Sequence, residues 1–115
     1  MQFGKLGAFH SVSRITGPHH NILLISFESA DRGEIFDPRI EALPPVGECR
    51  HEVLDPMKIL REVLVGVKEA NAKFQTEFRV DGVQYVENDT RPESAYRHMA
   101  FKLVEHLATA QTALQ

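Results

Sequence analysis

The stretch that most constrains the fold of this chain is EFRVDGVQYV, residues 77–86. Apolar and polar residues alternate on both sides of Asp81-Gly82, and Asp-Gly between alternating segments is the strongest short signal for a two-residue β-hairpin turn. Such a turn places Val80 opposite Val83, and residues opposite each other share one face of a sheet. The sequence therefore predicts a hairpin over 77–86, with Gly82 at a positive φ in its turn.

A second hairpin is predicted near the start of the chain. Residues 6–15 and 22–27 are rich in β-branched and large apolar side chains, which are typical of strands. Gly17-Pro18 is typical of a turn, so the connection is predicted to occupy residues 16–21. His19 and His20 would then lie side by side at the tip of this loop.

Two later segments have the apolar spacing of amphipathic helices. Asp55-Pro56 predicts the start of the first helix, because Asp is a good N-cap and Pro is favoured at the first helical position. Thr90 with Glu93 three residues later fits a capping box and predicts the start of the second. Gly66 lies beside the first apolar stripe, where it would allow close packing. The stripes are Leu60, Val63, Leu64, Val67, Ala70 and Phe74 in the first helix, and Tyr96, Met99, Ala100, Leu103, Leu107, Ala110 and Leu114 in the second.

The order of these elements predicts the fold class. The segment 29–55 is too long for a structureless loop in a compact domain, so it is expected to contain short elements, including a strand over 48–54. Strands grouped in hairpins favour an antiparallel sheet. We therefore expect residues 1–115 to form a single α+β domain with two layers. Its mostly antiparallel sheet would have four to six strands built from hairpins, with two main helices on one face.

Charge and composition limit the classes of function. The chain of 115 residues has a formal net charge of −3, which argues against nucleic-acid binding because phosphate affinity depends on clustered Lys and Arg. No apolar run approaches the roughly 20 residues of a membrane helix, and no signal peptide is evident at the start. The one cysteine, Cys49, fits a reducing cytoplasm. Nucleic-acid binding would require five arginines to share one face: Arg14, Arg32, Arg39, Arg50 and Arg97.

Four residues are candidates for ligand binding: His19, His20, Cys49 and His51. In a strand, Cys49 and His51 would share a face about 6.5 Å apart, a spacing that suits two ligands or a thiolate–imidazole pair. A structural zinc site normally shows four Cys or His ligands, and this sequence has no CxxC, so we expect no metal and no cofactor. The simpler interpretation is a pair of solvated turn histidines, with a buried Cys beside an exposed His.

Two functions follow from the sequence as hypotheses. Nucleotide-binding, nucleophile-elbow and zinc-protease signatures are absent, which favours a non-catalytic, homo-oligomeric binding module for a small molecule or a protein. The alternative is a small acid–base enzyme, a lyase or hydrolase, with a pocket between helices and sheet. That enzyme would bring together at least two of His10, His51, His98, His106 and Cys49. The polar residues Tyr96, Arg97, His98 and Lys102 are typical of a solvated helix face, or of a weakly basic patch for an anion.

The run Ile22-Leu23-Leu24-Ile25 predicts assembly. Successive strand residues point to opposite faces, so helices on one face can cover only one pair of these side chains. The other pair needs residues 29–55 or a second subunit as its cover. We therefore expect a homodimer, or a dimer of dimers, with Ile22, Leu24 or Phe101 in the contact.

Overall fold

The computed structural model describes residues 2–16, 19–27, 38–43, 55–86 and 94–113, with side chains except at 14–16, 19–20 and 110–113. The described elements form a two-layer α+β fold of five strands and two helices, as the sequence predicts. In chain order they are β1 (Gln2–Leu6), β2 (Phe9–Thr16), β3 (His19–Phe27), β4 (Arg39–Leu43), α1 (Pro56–Phe74), β5 (Val80–Val86) and α2 (Ala95–Ala113).

The described strands form one sheet in the order β1-β2-β3-β5-β4. Three neighbouring pairs are antiparallel, and β4 runs parallel to β5. The sheet is thus mostly antiparallel and has the expected number of strands. The edge strand β4 falls within the segment 29–55, where short elements were expected, whereas the strand expected over 48–54 lies outside the described residues.

The first predicted hairpin is confirmed in its pairing and corrected in its length. Strands β2 and β3 are antiparallel neighbours, and their ladder extends to Thr16 opposite His19. The connection is therefore shorter than the predicted 16–21. His20 pairs with Ile15, so both histidines belong to the start of β3 and not to a loop tip.

The predicted strand over 6–15 is divided by a tight turn. Gly7 has a φ of 61°, and the flanking residues Leu6 and Phe9 are ladder partners. A glycine at positive φ in the first central position is what a type II′ hairpin turn requires. The turn creates β1, an edge strand whose five residues are all exposed and which the sequence pattern does not predict.

The predicted Asp81-Gly82 hairpin is wrong. Residues 80–86 form one continuous strand, and among the described glycines the positive φ belongs to Gly7, not to Gly82. The strand lies between β3 and β4 and pairs with both. Pairing on two sides satisfies the backbone of an uninterrupted strand, and this tertiary arrangement overrides the local preference of Asp-Gly for a turn.

The predicted start of α1 is confirmed, and the predicted start of α2 is wrong. The amide of Met57 donates to Oδ1 of Asp55 at 2.9 Å, so Asp55 is the N-cap and Pro56 the first helical residue. Helix α2 begins at Ala95, not directly after Thr90. Thr90 itself lies outside the described residues.

Both helices pack on one face of the sheet and form a shared core with it. Gly66 of α1 lies against the backbone of Arg97 on α2, which confirms that this glycine allows close packing. The apolar stripe of α1 is rotated from the predicted one, because Ile59 and Gly66 are buried while Leu64 remains 38% exposed. The buried core comprises Val12, Leu23, Ile25, Ile59, Val63, Val67, Ala70, Val80, Val83, Tyr85, Tyr96, Met99, Ala100, Leu103 and Val104.

One asparagine fixes the connection from α1 to β5. The side chain of Asn71 donates to the carbonyl of Phe78 at 2.8 Å and accepts from its amide at 3.1 Å. Its carboxamide oxygen also accepts from Oγ1 of Thr76 at 2.8 Å. These bonds act beside Gln75, which ends α1 at a φ of 56°. They hold the chain in the turn that directs it into β5.

Candidate functional site

Four residues form a row across the face of the sheet that is turned away from the helices. Arg39 of β4 pairs with Gly82 of β5, and Gly82 pairs with Ser26 of β3, which in turn pairs with Phe9 of β2. Ladder partners share a face. The next residue along β5, Val83, belongs to the core beneath the helices. The row therefore lies on the opposite face, which neither described helix covers and which we call the helix-free face.

Two side chains of this row lie close over Gly82. A Cβ added at Gly82 would lie 2.9 Å from Oγ of Ser26 and 3.6 Å from Cε1 of Phe9. A glycine inside a strand weakens the strand, and it often marks a place where a ligand or another backbone approaches closely. Here Ser26 and Phe9 approach Gly82 closely, and these three residues line a depression together with Arg39.

A β-bulge next to this glycine redirects an acidic side chain. Ser26 pairs with Gly82 while the next residue, Phe27, pairs with Val80, so Asp81 is the extra residue on β5. Bulges bend a strand and change the direction of a side chain, frequently beside functional sites. The hydroxyl of Ser26 donates to Oδ2 of Asp81 over a long 3.5 Å. The bulge thus brings Asp81 to the same face as Ser26.

These features meet in a depression of about 330 Å³, which we call the Gly82 cleft. Small-molecule sites have volumes upward of about 300 Å³ and combine apolar walls with a few polar groups. The cleft has both, because an aromatic ring and a glycine floor adjoin charged and amide side chains. Its described lining consists of Ala8, Phe9, Ser26, Arg39, Glu41, Asp81, Gly82, Val83 and Gln84.

The charges of the Gly82 cleft do not neutralise one another. Oε2 of Glu41 accepts a hydrogen bond from Nε2 of Gln84 at 3.2 Å, and Asp81 accepts from the hydroxyl of Ser26. Both carboxylates therefore have neutral donors as partners. Among the described residues, none forms an ion pair with Arg39. The cleft holds two carboxylates and one guanidinium that are available to a ligand.

The four binding residues predicted from the sequence are not part of this described lining. The backbones of His19 and His20 lie in β3, and Cys49 and His51 lie outside the described residues. Their role in binding stays a prediction. Within the described part of the chain, no group of three or more His, Cys, Asp or Glu side chains is arranged to hold a metal ion.

The three histidines with described side chains have different neighbours. His10 contacts Phe27 with ring centroids 5.9 Å apart, and its pKa is lowered from 6.5 by burial and then by the nearby Lys5. The ring of His106 stacks on Phe3 at 4.2 Å. His98 lines a separate cleft between α1 and α2 with Glu69, Ser94, Arg97 and Phe101. The convergence that the enzyme hypothesis requires is not seen among these three.

The polar face of α2 shows ordinary surface pairing. Arg97 forms an ion pair with Glu69 of α1, and Nζ of Lys102 lies 3.2 Å from Oε1 of Glu105. Pairs on an exposed surface contribute little to stability. Arg97 also lies in the helical layer, whereas Arg39 faces the cleft on the other side of the sheet. These two arginines therefore do not share the single basic face that nucleic-acid binding would need.

The residues predicted to lie in the interface differ in the exposure of their side chains. Leu23 and Ile25 lie in the core, so Ile22 and Leu24 point to the helix-free face. Leu24 is only 6% exposed in the single chain, and Ile22 is half-buried. Phe101 packs beside the core with its ring centroid 5.7 Å from that of Phe74. Their contact with a second subunit stays a prediction.

The geometry defines a two-layer α+β protein with a polar cleft on its helix-free sheet face. Comparison of the chain with protein-family models, with curated proteins and with solved structures finds no match. Neither described helix has the length and apolar composition that crossing a membrane requires. The Gly82 cleft is therefore the feature of the molecule that points to a function.

Sequence reasoning missed the Gly82 cleft because it assigned Asp81-Gly82 to a turn. A signal was nevertheless present. A turn at Asp81-Gly82 would have left two strands of only four residues each, 77–80 and 83–86. One strand through Gly82 instead buries apolar residues on both sides of the glycine. An isolated glycine inside a strand pattern indicates a bulge or a close backbone approach, and this strand has a bulge at Asp81.

Proposed function

We propose that this protein is a non-catalytic binding module that holds a small polar molecule in the Gly82 cleft. The observation that carries the proposal is the coincidence at one point of a strand glycine, a β-bulge and a buried serine hydroxyl. The glycine and the bulge each interrupt the regular structure of the sheet. Such deviations from regular local structure concentrate at functional sites. A ligand in the cleft would hydrogen-bond Ser26 and the charged side chains around Gly82.

The alternative, a histidine-dependent acid–base enzyme, has less support. It needs two histidines, or a histidine and Cys49, within reach of one substrate atom. His10, His98 and His106 each contact different groups, and the cleft between α1 and α2 has one described histidine, His98. A binding role is therefore the better interpretation of the described residues.

The proposal includes a homo-oligomer in the cytoplasm. Among the described strands, β1 lies at one edge of the sheet and is exposed along its length, and an exposed edge strand favours association with another chain. Leu6 on this strand is 71% exposed and Met57 at the start of α1 is 60% exposed. Light scattering at tens of micromolar tests this part, since a monomer would contradict it. The cytoplasmic assignment rests on the single cysteine, Cys49.

Two glycine variants test whether the cleft binds ligands. Gly82→Ala adds a methyl group to the floor of the cleft, 2.9 Å from Oγ of Ser26. Gly4→Ala is a matched control, because a Cβ at Gly4 also lies 2.9 Å from a serine hydroxyl, that of Ser11, but outside the cleft lining. Both glycines are strand residues on the same face of the sheet.

The assay is a screen of small polar compounds by amide chemical shifts of isotope-labelled protein. We expect at least one compound to shift the amides of Ser26, Gly82 and Gln84 in the original chain and in Gly4→Ala, and not in Gly82→Ala. Compounds that shift only amides remote from the cleft, or that bind Gly82→Ala equally well, would contradict the proposal.

A further inference from the structure

We infer that the ligand of the Gly82 cleft is a small zwitterion, a molecule that carries both a protonated amine and a carboxylate. The inference rests on the proposed function and adds the chemical class of the ligand. It follows from three charged side chains around one glycine: Arg39, Asp81 and Glu41.

Each of these charges has capacity for a ligand. The carboxylates of Asp81 and Glu41 accept from the neutral groups of Ser26 and Gln84, and a carboxylate can accept several further hydrogen bonds. The guanidinium of Arg39 has no ion-pair partner among the described residues, and its fork of donors matches a carboxylate. Hydrogen bonds to charged groups are the strong ones, so a ligand that supplies both signs uses the cleft best.

The backbone spacing of the three charged residues is consistent with a small molecule. Arg39 and Glu41 are two residues apart on β4, and their ladder partners Gly82 and Gln84 lie on the neighbouring strand. Neighbouring strands are about 4.8 Å apart, and residues two apart on a strand are about 6.5 Å apart. Asp81 reaches the same face through the bulge. A short aliphatic amino acid is small enough to contact side chains from residues spaced in this way.

Simpler ligands fit less well. A plain anion would contact Arg39 but would face the two carboxylates, which repel it. A plain amine would satisfy the carboxylates and leave Arg39 unused. A bare metal ion would need more ligands, and the described residues hold no group of three acidic, His or Cys side chains placed for one. A zwitterion meets both signs of charge, and its methylene groups can lie against the ring of Phe9.

Three probes separate these possibilities: γ-aminobutyrate, butylamine and butyrate, titrated at constant ionic strength and followed by the amides of Ser26 and Gly82. We expect γ-aminobutyrate to bind at least about tenfold more tightly than either singly charged probe, since each charge-assisted contact is worth about that factor. Equal affinity for butylamine or butyrate, or no binding of γ-aminobutyrate, would overturn the inference.

Charge variants test which residue meets which group. Asp81→Asn should weaken γ-aminobutyrate and butylamine, whereas Arg39→Gln should weaken γ-aminobutyrate and butyrate, each by about tenfold. Glu77→Gln and Arg61→Gln are matched controls, because both residues are exposed and lie outside the described cleft lining. Unchanged affinity in both cleft variants would overturn the inference.

The two proposals fail in different ways. If other compounds bind the cleft and the charge variants have no effect on γ-aminobutyrate, the zwitterion inference is wrong and the binding module stands. If no compound in the wider screen shifts the cleft amides, the proposed function itself is wrong.

Discussion

Replacement of Gly66 by alanine tests the closest contact between the two helices. A Cβ at Gly66 would overlap the carbonyl oxygen of Arg97 and lie 3.0 Å from its carbonyl carbon, with the Cβ of Ala100 at 3.2 Å. Ordinary carbon–carbon contacts are about 3.5–4.0 Å. The obstacle is mainly helix backbone, which cannot rotate away as a flexible side chain would. The overlap with the carbonyl oxygen is the largest, so the helices must separate by roughly 1 Å or more, judged from that contact distance.

Two opposing effects determine the size of the change. Alanine is favoured over glycine inside a helix by about 1 kcal/mol. Overpacking of a close contact costs about 1–3 kcal/mol, occasionally more, and separation of the helices also weakens contacts around Val63 and Met99. Because the clash is with backbone, we expect the upper part of that range, about 2–3 kcal/mol, and a net loss of about 1–2 kcal/mol once the helix-propensity gain is subtracted.

Urea unfolding followed by circular dichroism measures this change. Gly66→Ala should lower the urea midpoint of unfolding. In a thermal unfolding experiment, the melting temperature should fall by roughly 4 °C per kcal/mol at this chain length. The control is Lys68→Ala on the same helix, an exposed position that should be within about 0.5 kcal/mol of the original. A Gly66→Ala protein that is more stable, by the helix-propensity gain alone, would refute the close approach of α1 to α2.

The remaining predictions use the same unfolding measurements unless stated. Asp55→Ala should cost about 1 kcal/mol through loss of the N-cap, and Asp55→Asn, which keeps a capping oxygen, should cost less. Asn71→Ala removes three hydrogen bonds and should cost about 2–4 kcal/mol; a loss below about 0.5 kcal/mol would argue against its structural role. His10 has a pKa below 6.5 in the folded chain, so the unfolded chain binds more protons and stability should fall as the pH drops through 6.5 towards the folded pKa. His10→Gln should reduce that fall, and an identical pH dependence would contradict the assignment. Finally, a chelator should leave the melting temperature unchanged, whereas a lower melting temperature would revive a metal site at His19 and His20.

Local signals predicted the parts of the fold that depend on neighbouring residues. Asp55-Pro56 predicted the start of α1, because a cap and a proline act within one turn of the chain. The run Ile22 to Ile25 predicted a strand with two apolar faces, and Leu23 and Ile25 do face the helices. The pairing of β2 with β3 also followed from sequence, since its turn and its strands are adjacent in the chain.

The candidate site depended on distant residues and could not be predicted in the same way. Arg39, Ser26 and Gly82 come from three strands, and they meet only because β5 lies between β3 and β4. No spacing in the intervening sequence predicts this order of strands in the sheet. The bulge at Asp81 depends on the register between β3 and β5, which long-range pairing sets.

The sequence by itself determined the α+β class, the first helix start and the hairpin of β2 and β3, because caps, turns and alternation act over a few residues. Only the tertiary structure decided that Asp81-Gly82 is strand and not turn. Backbone hydrogen bonds with two neighbouring strands outweigh the local turn preference, and they convert a predicted hairpin turn into the floor of a cleft.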